Sequence, residues 1–267
     1  MPAHPVEFSK KHGLAVITLN RPEARNALNP EMVEELGRAV QSCRSSDVRA
    51  VLLTGTGGSF CAGADVKDFV KQLDDGGPDA LYQHVKRLAG VLHREVVLGL
   101  RRLDKPVVAA VNGVAAGGGF SLMLGCDIRI ASSDARFFMA YANIGAAADG
   151  GSTYLLPRLV GSAKAMAIYL AAQPISAESA LGMGLVTRVC PAAELEQHAK
   201  EAAMKLAQGP TVAYGRVKAL FERSWEASLE DQLDAETEAI SNSCLTRDFQ
   251  EGIRAFVEKR QPKFQGK

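Results

Sequence analysis

Little in this 267-residue chain is extreme, and each shortage excludes a class of protein. Charge of one sign is missing. Basic residues number 31 and acidic residues 30, a formal net charge of +1, so bulk electrostatics selects neither nucleic acid nor a membrane surface as partner. Paired cysteine is missing. Cys43, Cys61, Cys126, Cys190 and Cys244 are odd in number and lack CxxC spacing. That suits a reducing compartment and speaks against a disulfide framework or a structural zinc site. Long apolar runs are missing: the longest carry glycines and fall short of the roughly 20 residues a membrane-spanning helix needs. The opening "MPAHPVEFSKKHG" has neither an apolar core nor an Arg-rich amphipathic pattern, so no signal or transit peptide is expected and the cytoplasm is the expected location. Nucleotide fingerprints are missing too. Neither "GTGGSF" nor "NGVAAGGGF" sets glycines at the offsets of GxGxxG, and no GK[ST] occurs.

What is present reads as an α/β protein with enough chain for a substantial core. "GLAVITLN" (13–20) and "VRAVLLTGT" (48–56) read as strands. Between them Asn29-Pro30 opens a helix with an Asn cap and acids in its first turn. Residues 66–102 read as helical, with a break and a flexible turn expected at "DDGGPD" (74–79). "KPVVAAVNGVAAGGGFSLMLGCDIRIAS" reads strand, Gly-rich turn, apolar helix, strand; "ARFFMAY" reads as a further strand. A helix starts near Ser152, and from Glu194 nearly everything is helical. Alternating strands and helices imply crossover units of an α/β fold.

Three stretches carry candidate chemistry. In "SFCAGAD" (59–65) a strand ends in a glycine turn and a helix starts near Asp65, leaving backbone N–H groups without intrahelical partners. Asp65 as a plain helix cap is the alternative. In "NGVAAGGGFSLML" (112–124) three glycines open an apolar helix, which allows either close approach of a ligand or tight helix–sheet packing. In "IGAAADGGSTYLLPRL" (144–159) Asp149 lies among alanines, glycines and aliphatic residues, where a carboxylate is costly unless solvated, paired or in use.

In this order, together with "ITLNRPEARNALNPEMVEEL", "ISAESALGMGLVTRV" and "EGIRAFVEKRQPKFQGK", the stretches resemble the enoyl-CoA hydratase/isomerase (crotonase) superfamily over nearly the whole chain. The resemblance implies a spiral of ββα units over 1–195 and a C-terminal helical trimerisation region over 196–267, as a homotrimer or dimer of trimers. It implies an acyl-CoA thioester as substrate, with coenzyme A part of that substrate and no separate cofactor or metal. The backbone amides of Ala64 and Gly118 match the family's oxyanion hole. Ala27, Ala62, Asp65 and Val66 would line the CoA groove, and Phe256 and Lys259 would reach the CoA of their own or a neighbouring subunit.

The chain departs from the hydratase pattern. Where the resemblance places two glutamates stand Ser121 and Tyr141. Asp149 falls where isomerases and dehalogenases of the superfamily carry an aspartate, and the surrounding stretch most resembles the phenylacetate-pathway isomerases. An isomerase needs one base that removes a proton and returns it elsewhere. The apolar setting is expected to raise the pKa of Asp149. Tyr141 is a candidate hydrogen-bond donor, and His84 and His93 are candidate second acid–base groups. Phe69, Leu73, Phe120, Met123 and Leu156 are candidates for the acyl pocket, although apolar residues at helical spacing equally describe plain core. Isomerisation is the favoured activity. The alternatives are hydration by Asp149 and water, dehalogenation or thioester hydrolysis, and non-catalytic acyl-CoA binding.

Overall fold

The computed structural model describes residues 4–267. The chain opens with a hairpin, β1 (Val6–Lys11) and β2 (Leu14–Leu19), followed by α1 (Pro30–Ser42). Three turns of one pattern follow. The first is β3 (Ala50–Gly55), β4 (Ser59–Cys61) and α2 (Val66–Val91), with α3 (Leu98–Arg101) beyond it. The second is β5 (Val107–Val111), β6 (Val114–Ala116) and α4 (Gly118–Leu124); the third is β7 (Ile128–Ser132), β8 (Arg136–Phe138) and α5 (Ser152–Val160). Then come α6 (Ser162–Ala171), β9 (Ile175–Ser176), α7 (Ala177–Gly182) and β10 (Arg188–Cys190). Four helices close the chain: α8 (Leu195–Ala207), α9 (Thr211–Arg223), α10 (Leu229–Ser243) and α11 (Arg247–Val257).

Each turn gives one strand to a six-stranded sheet, β1-β2-β3-β5-β7-β10, and one to a four-stranded sheet, β4-β6-β8-β9. The pairs β2–β3–β5–β7–β10 and β4–β6–β8 are parallel, as crossover connections require. This is the spiral of ββα turns that the sequence implies. In the large sheet, side chains alternate between two cores. Val51, Leu53, Val107 and Ala109 face the interior shared with α1, α4 and the small sheet. Leu52, Ala50, Val108 and Ala110 face α8, whose Ala199, Ala203 and Ala207 recur every fourth residue on one face. The packing therefore places α8 with the core.

Local signals explain several element ends. The Asn29 side chain accepts from Met32 N–H and caps α1 as expected. The break expected at 74–79 is a single-residue kink: Gly77 at φ 69°, with Pro78 opening the second half of α2. After α2 the helix loosens into a π turn, Leu92–Val97. The strand expected over "ARFFMAY" stops at Phe138, and Ala140–Ile144 forms a 3-10 turn. Among the described residues no helix is long and apolar enough to cross a membrane, and all five cysteines are free.

Candidate active site

The three stretches singled out in the sequence are the same structural position in three consecutive turns. Ala64 lies between β4 and α2, Gly118 between β6 and α4, and Asp149 between β8 and α5. Because β4, β6 and β8 are parallel neighbours, with Cys61 level with Ala115 and Ala116 level with Phe138, their carboxyl ends open side by side. Such a row of strand ends is where parallel sheets place ligands. A cavity of about 190 Å³ lies there, lined by Ala64, Gly118, Tyr141 and Asp149 among others.

The first two junctions offer main chain. Leu28 N–H donates to Gly63 O, and Asp65 N–H donates to Leu28 O, so Leu28 pairs with the residues flanking Ala64. In a parallel bridge of this kind the N–H of Ala64 itself points away from Leu28, and Ala64 lines the cavity. Gly118 is the first residue of α4 and has no intrahelical acceptor. The two loops touch: a Cβ on Gly63 would sit 3.2 Å from Gly118 N and 2.7 Å from Ala116 O. Gly119 serves packing instead, since a Cβ there would fall 2.2 Å from Cys61 O. The glycine run thus packs tightly at Gly119, while Gly118, one residue before, lines the cavity.

Two residues that the sequence did not single out hold the first junction. Asn26 is fully buried, and its side-chain amide donates to the carbonyls of Thr56, Ser59 and Phe60. Arg21 donates to Ala27 O at 2.7 Å and to Asp65 Oδ2 at 3.1 Å. The Asp65 carboxylate therefore turns away from the N–H groups of α2 and makes no cap with them. The signal was in "RPEARNALN": a buried Asn and an Arg in a loop need partners, and the loop at 56–65 supplies them.

The third junction offers side chains. Tyr141 OH donates to Asp149 Oδ1 at 2.7 Å. Ser121 Oγ lies 2.9 Å from Tyr141 OH and 2.9 Å from Asp149 O. That same carbonyl also accepts from Ser152 Oγ at 2.8 Å, which fixes the turn. His93, on the π turn, places Nε2 3.4 Å from Asp149 Oδ2 and 3.1 Å from Gly150 N. The Asp149 side chain is 36% exposed, facing the cavity. Burial pushes its pKa up, but the hydrogen bonds from His93 and Tyr141 and the charge of a protonated His93 outweigh it, holding the carboxyl below its usual range. The expected upward shift is thus corrected. Burial and the neighbouring Asp149 charge push Tyr141 far up, so its phenol keeps its proton.

Other expected site residues separate. Ala62, Ala64, Val66, Phe69 and Tyr141 line the cavity. Phe120 and Met123 do not: both are fully buried in the core, because every residue of α4 is enclosed. Leu156 lines a different cavity with Met139, Met166 and Tyr169, and Leu73 is exposed. His84 is buried against Asp68 at 2.8 Å and lies edge-on to Phe69, away from Asp149. Ala27 is buried in the Arg21 contact. Phe256 is 85% exposed, and neither it nor Lys259 lines the cavity of its own chain. Leu28, Leu88, Ala89, Leu92, Ala140 and Ala146 are among the further lining residues and carried no sequence signal beyond apolarity. A larger cavity, about 640 Å³, lies between α3, α5 and α9. Its Arg101 and Lys218 are already paired with Asp127, and Arg101 also with Glu222. Among the described residues no three His, Cys, Asp or Glu side chains converge as a metal site.

Known proteins match this chain over nearly its whole length. A family model for enoyl-CoA hydratase/isomerase matches residues 9–267. A 1,2-epoxyphenylacetyl-CoA isomerase of Escherichia coli is 39% identical over 98% of this chain and 100% of its own. A short-chain-enoyl-CoA hydratase of Clostridium acetobutylicum is 38% identical over 96% of this chain and 95% of its own. The crystal structure of an enoyl-CoA hydratase from Bacillus anthracis superposes with a TM-score of 0.90 at 32% identity, covering 98% of this chain and 100% of the other. With a full-length family match and this shared fold, the chain belongs to the enoyl-CoA hydratase/isomerase family, the crotonase superfamily.

Proposed function

We propose that the protein is an enoyl-CoA isomerase in which Asp149 is the acid and base. One observation carries this reading: among the residues lining the cavity, Asp149 is the sole carboxylate and Tyr141 the sole other polar side chain. Addition of water by two carboxylates has no second carboxylate to use. A 1,3-proton shift needs one. Asp149 takes the proton from C2 of a 3-enoyl-CoA, the electron pair moves into the thioester carbonyl, and the amides of Ala64 and Gly118 hold the oxyanion. Such a donor is worth about 3–4 kcal/mol at the transition state. Return of the proton to C4 gives the conjugated 2-enoyl-CoA, and the enzyme is unchanged. Tyr141 keeps one carboxylate oxygen occupied and so fixes the orientation of the other. Coenzyme A belongs to the substrate, and the scheme calls on no metal or further cofactor.

The test is direct. Incubation with a 3-enoyl-CoA creates conjugated absorbance if the reading holds, whereas loss of absorbance from crotonyl-CoA with no gain from the 3-enoyl-CoA overturns it. Hydration by Asp149 and water is the second reading, supported by the hydratase relative at 38% identity. Association through the C-terminal helices is part of the proposal. Phe221, Leu229, Phe256 and Val257 are apolar and exposed there, a surface that favours further copies of the chain.

A further inference from the structure

Among the described residues, two side chains reach the Asp149 carboxylate, and the proton shift leaves one of them, His93, without a task. The π turn Leu92–Val97 sets His93 against the loop before α5. Single π turns of this kind recur at functional sites. The Nε2 atom has two neighbours with opposite demands. Accepting from Gly150 N–H at 3.1 Å requires a lone pair on Nε2 and the ring proton on Nδ1. Bonding to Asp149 Oδ2 at 3.4 Å requires a proton on Nε2, and Gly150 then loses its acceptor. One nitrogen cannot satisfy both in one protonation state.

Resting on the reading of Asp149 as acid and base, we propose that His93 is a positioning residue whose protonation decides whether Asp149 is free to take the substrate's proton. With the imidazole neutral and held by Gly150, the carboxylate faces a lone pair, gains nothing from it and remains available. With the imidazole protonated, Nε2–H pairs with Oδ2 and withdraws the base. The lowered carboxyl pKa belongs to this second state. Other charges around the turn are directed elsewhere. Lys86, Arg87 and Arg94 are exposed, and Glu95 leans on Gly37 of α1. Arg101 of α3 is paired with Asp127 and Glu222. Tyr141 keeps its proton and holds the opposite carboxylate oxygen.

The experiment is the pH profile of kcat/KM on a 3-enoyl-CoA for the wild type and His93→Gln, whose side-chain oxygen can still accept from Gly150. The wild type is expected to lose activity toward acid pH as His93 takes up a proton. In His93→Gln that limb is expected to move toward the carboxylate range by about one pH unit or more, with KM at mildly alkaline pH changed by less than about twofold. An unmoved limb overturns the proposal. Should His93→Gln fail to fold, 15N NMR of the wild-type imidazole decides: at mildly alkaline pH the proton is expected on Nδ1, and a neutral Nε2–H form overturns it. Asp149→Asn separates the two claims. Turnover that persists there removes the acid–base reading itself; turnover lost there, with an unmoved limb in His93→Gln, removes only the role of His93.

Discussion

The junctions at Ala64 and Gly118 and the junction at Asp149 occupy equivalent places in consecutive turns, yet they are made of different material. The first two are short, and they line the cavity with alanine and glycine, residues without a polar side chain. The third runs from Met139 to Gly151 between β8 and α5 and presents side chains, anchored by Ser121, Tyr141, Ser152 and His93. A short connection between a parallel strand and its helix leaves amides at a fixed place, which is what an oxyanion needs. A longer one can carry a carboxylate at the height where a proton must move. Chemistry carried by main chain tolerates changes of side chain and fails with proline; chemistry carried by a side chain does the reverse.

That contrast breaks most sharply at Asp149. Asp149→Asn is expected to lower kcat on a 3-enoyl-CoA by on the order of 10²–10⁴-fold with KM little changed. Stopped-flow absorbance together with acyl-CoA binding by calorimetry reads both. Gly118→Pro comes next. The first helical position accepts proline, but the N–H is removed, and kcat is expected to fall by about 10²–10³-fold. Gly118→Ala keeps the N–H; its Cβ would meet the tip of Leu28 at 3.2 Å, and its loss is expected to be far smaller. Equal losses in the two variants would deny the main-chain role.

Core and cavity can be told apart in the same way. Phe120→Ala is expected to cost about 3–5 kcal/mol in denaturant unfolding. Phe69→Ala, at a half-buried position on the cavity wall, is expected to cost less and to change the preferred acyl length, read as kcat/KM across a chain-length series. The smallest effect concerns Tyr141→Phe. Removing a donor that favours the carboxylate raises the Asp149 pKa, read by 13C NMR of the carboxyl. The sign for stability follows. A depressed carboxyl stabilises the fold above its unfolded pKa, and that contribution fades as pH falls through the folded value; in Tyr141→Phe it is smaller and fades at higher pH.

Much of this could be read from the residues in order. The Asn29 cap, the break at Gly77 and the alternation of apolar strands with helices are local, and the structure keeps them. β1 could not be read: "VEFSKK" is an edge strand with five of its six residues exposed, so no buried face marked it. Phe120 and Met123 share the same difficulty with the cavity wall, because periodicity gives a face and never says what the face meets. The direction of the Asp149 pKa also went the other way. Its sequence neighbours are apolar and argue for a rise, while Tyr141 and His93 arrive from elsewhere in the chain and reverse it.

The sequence by itself determined the family, the ββα repeat and the three segments that meet at the cavity, because strand, turn and helix signals are short-range and survive in linear order. Only the tertiary structure decided that these segments stand at adjacent strand ends, that Ala64, Gly118 and Asp149 line one cavity, and that His93 lies 3.4 Å from the Asp149 carboxylate. The physical reason is parallel pairing. It aligns residues separated by a whole helical crossover, and hydrogen bonds across that distance, not neighbours in the chain, set the charge and reach of the acid.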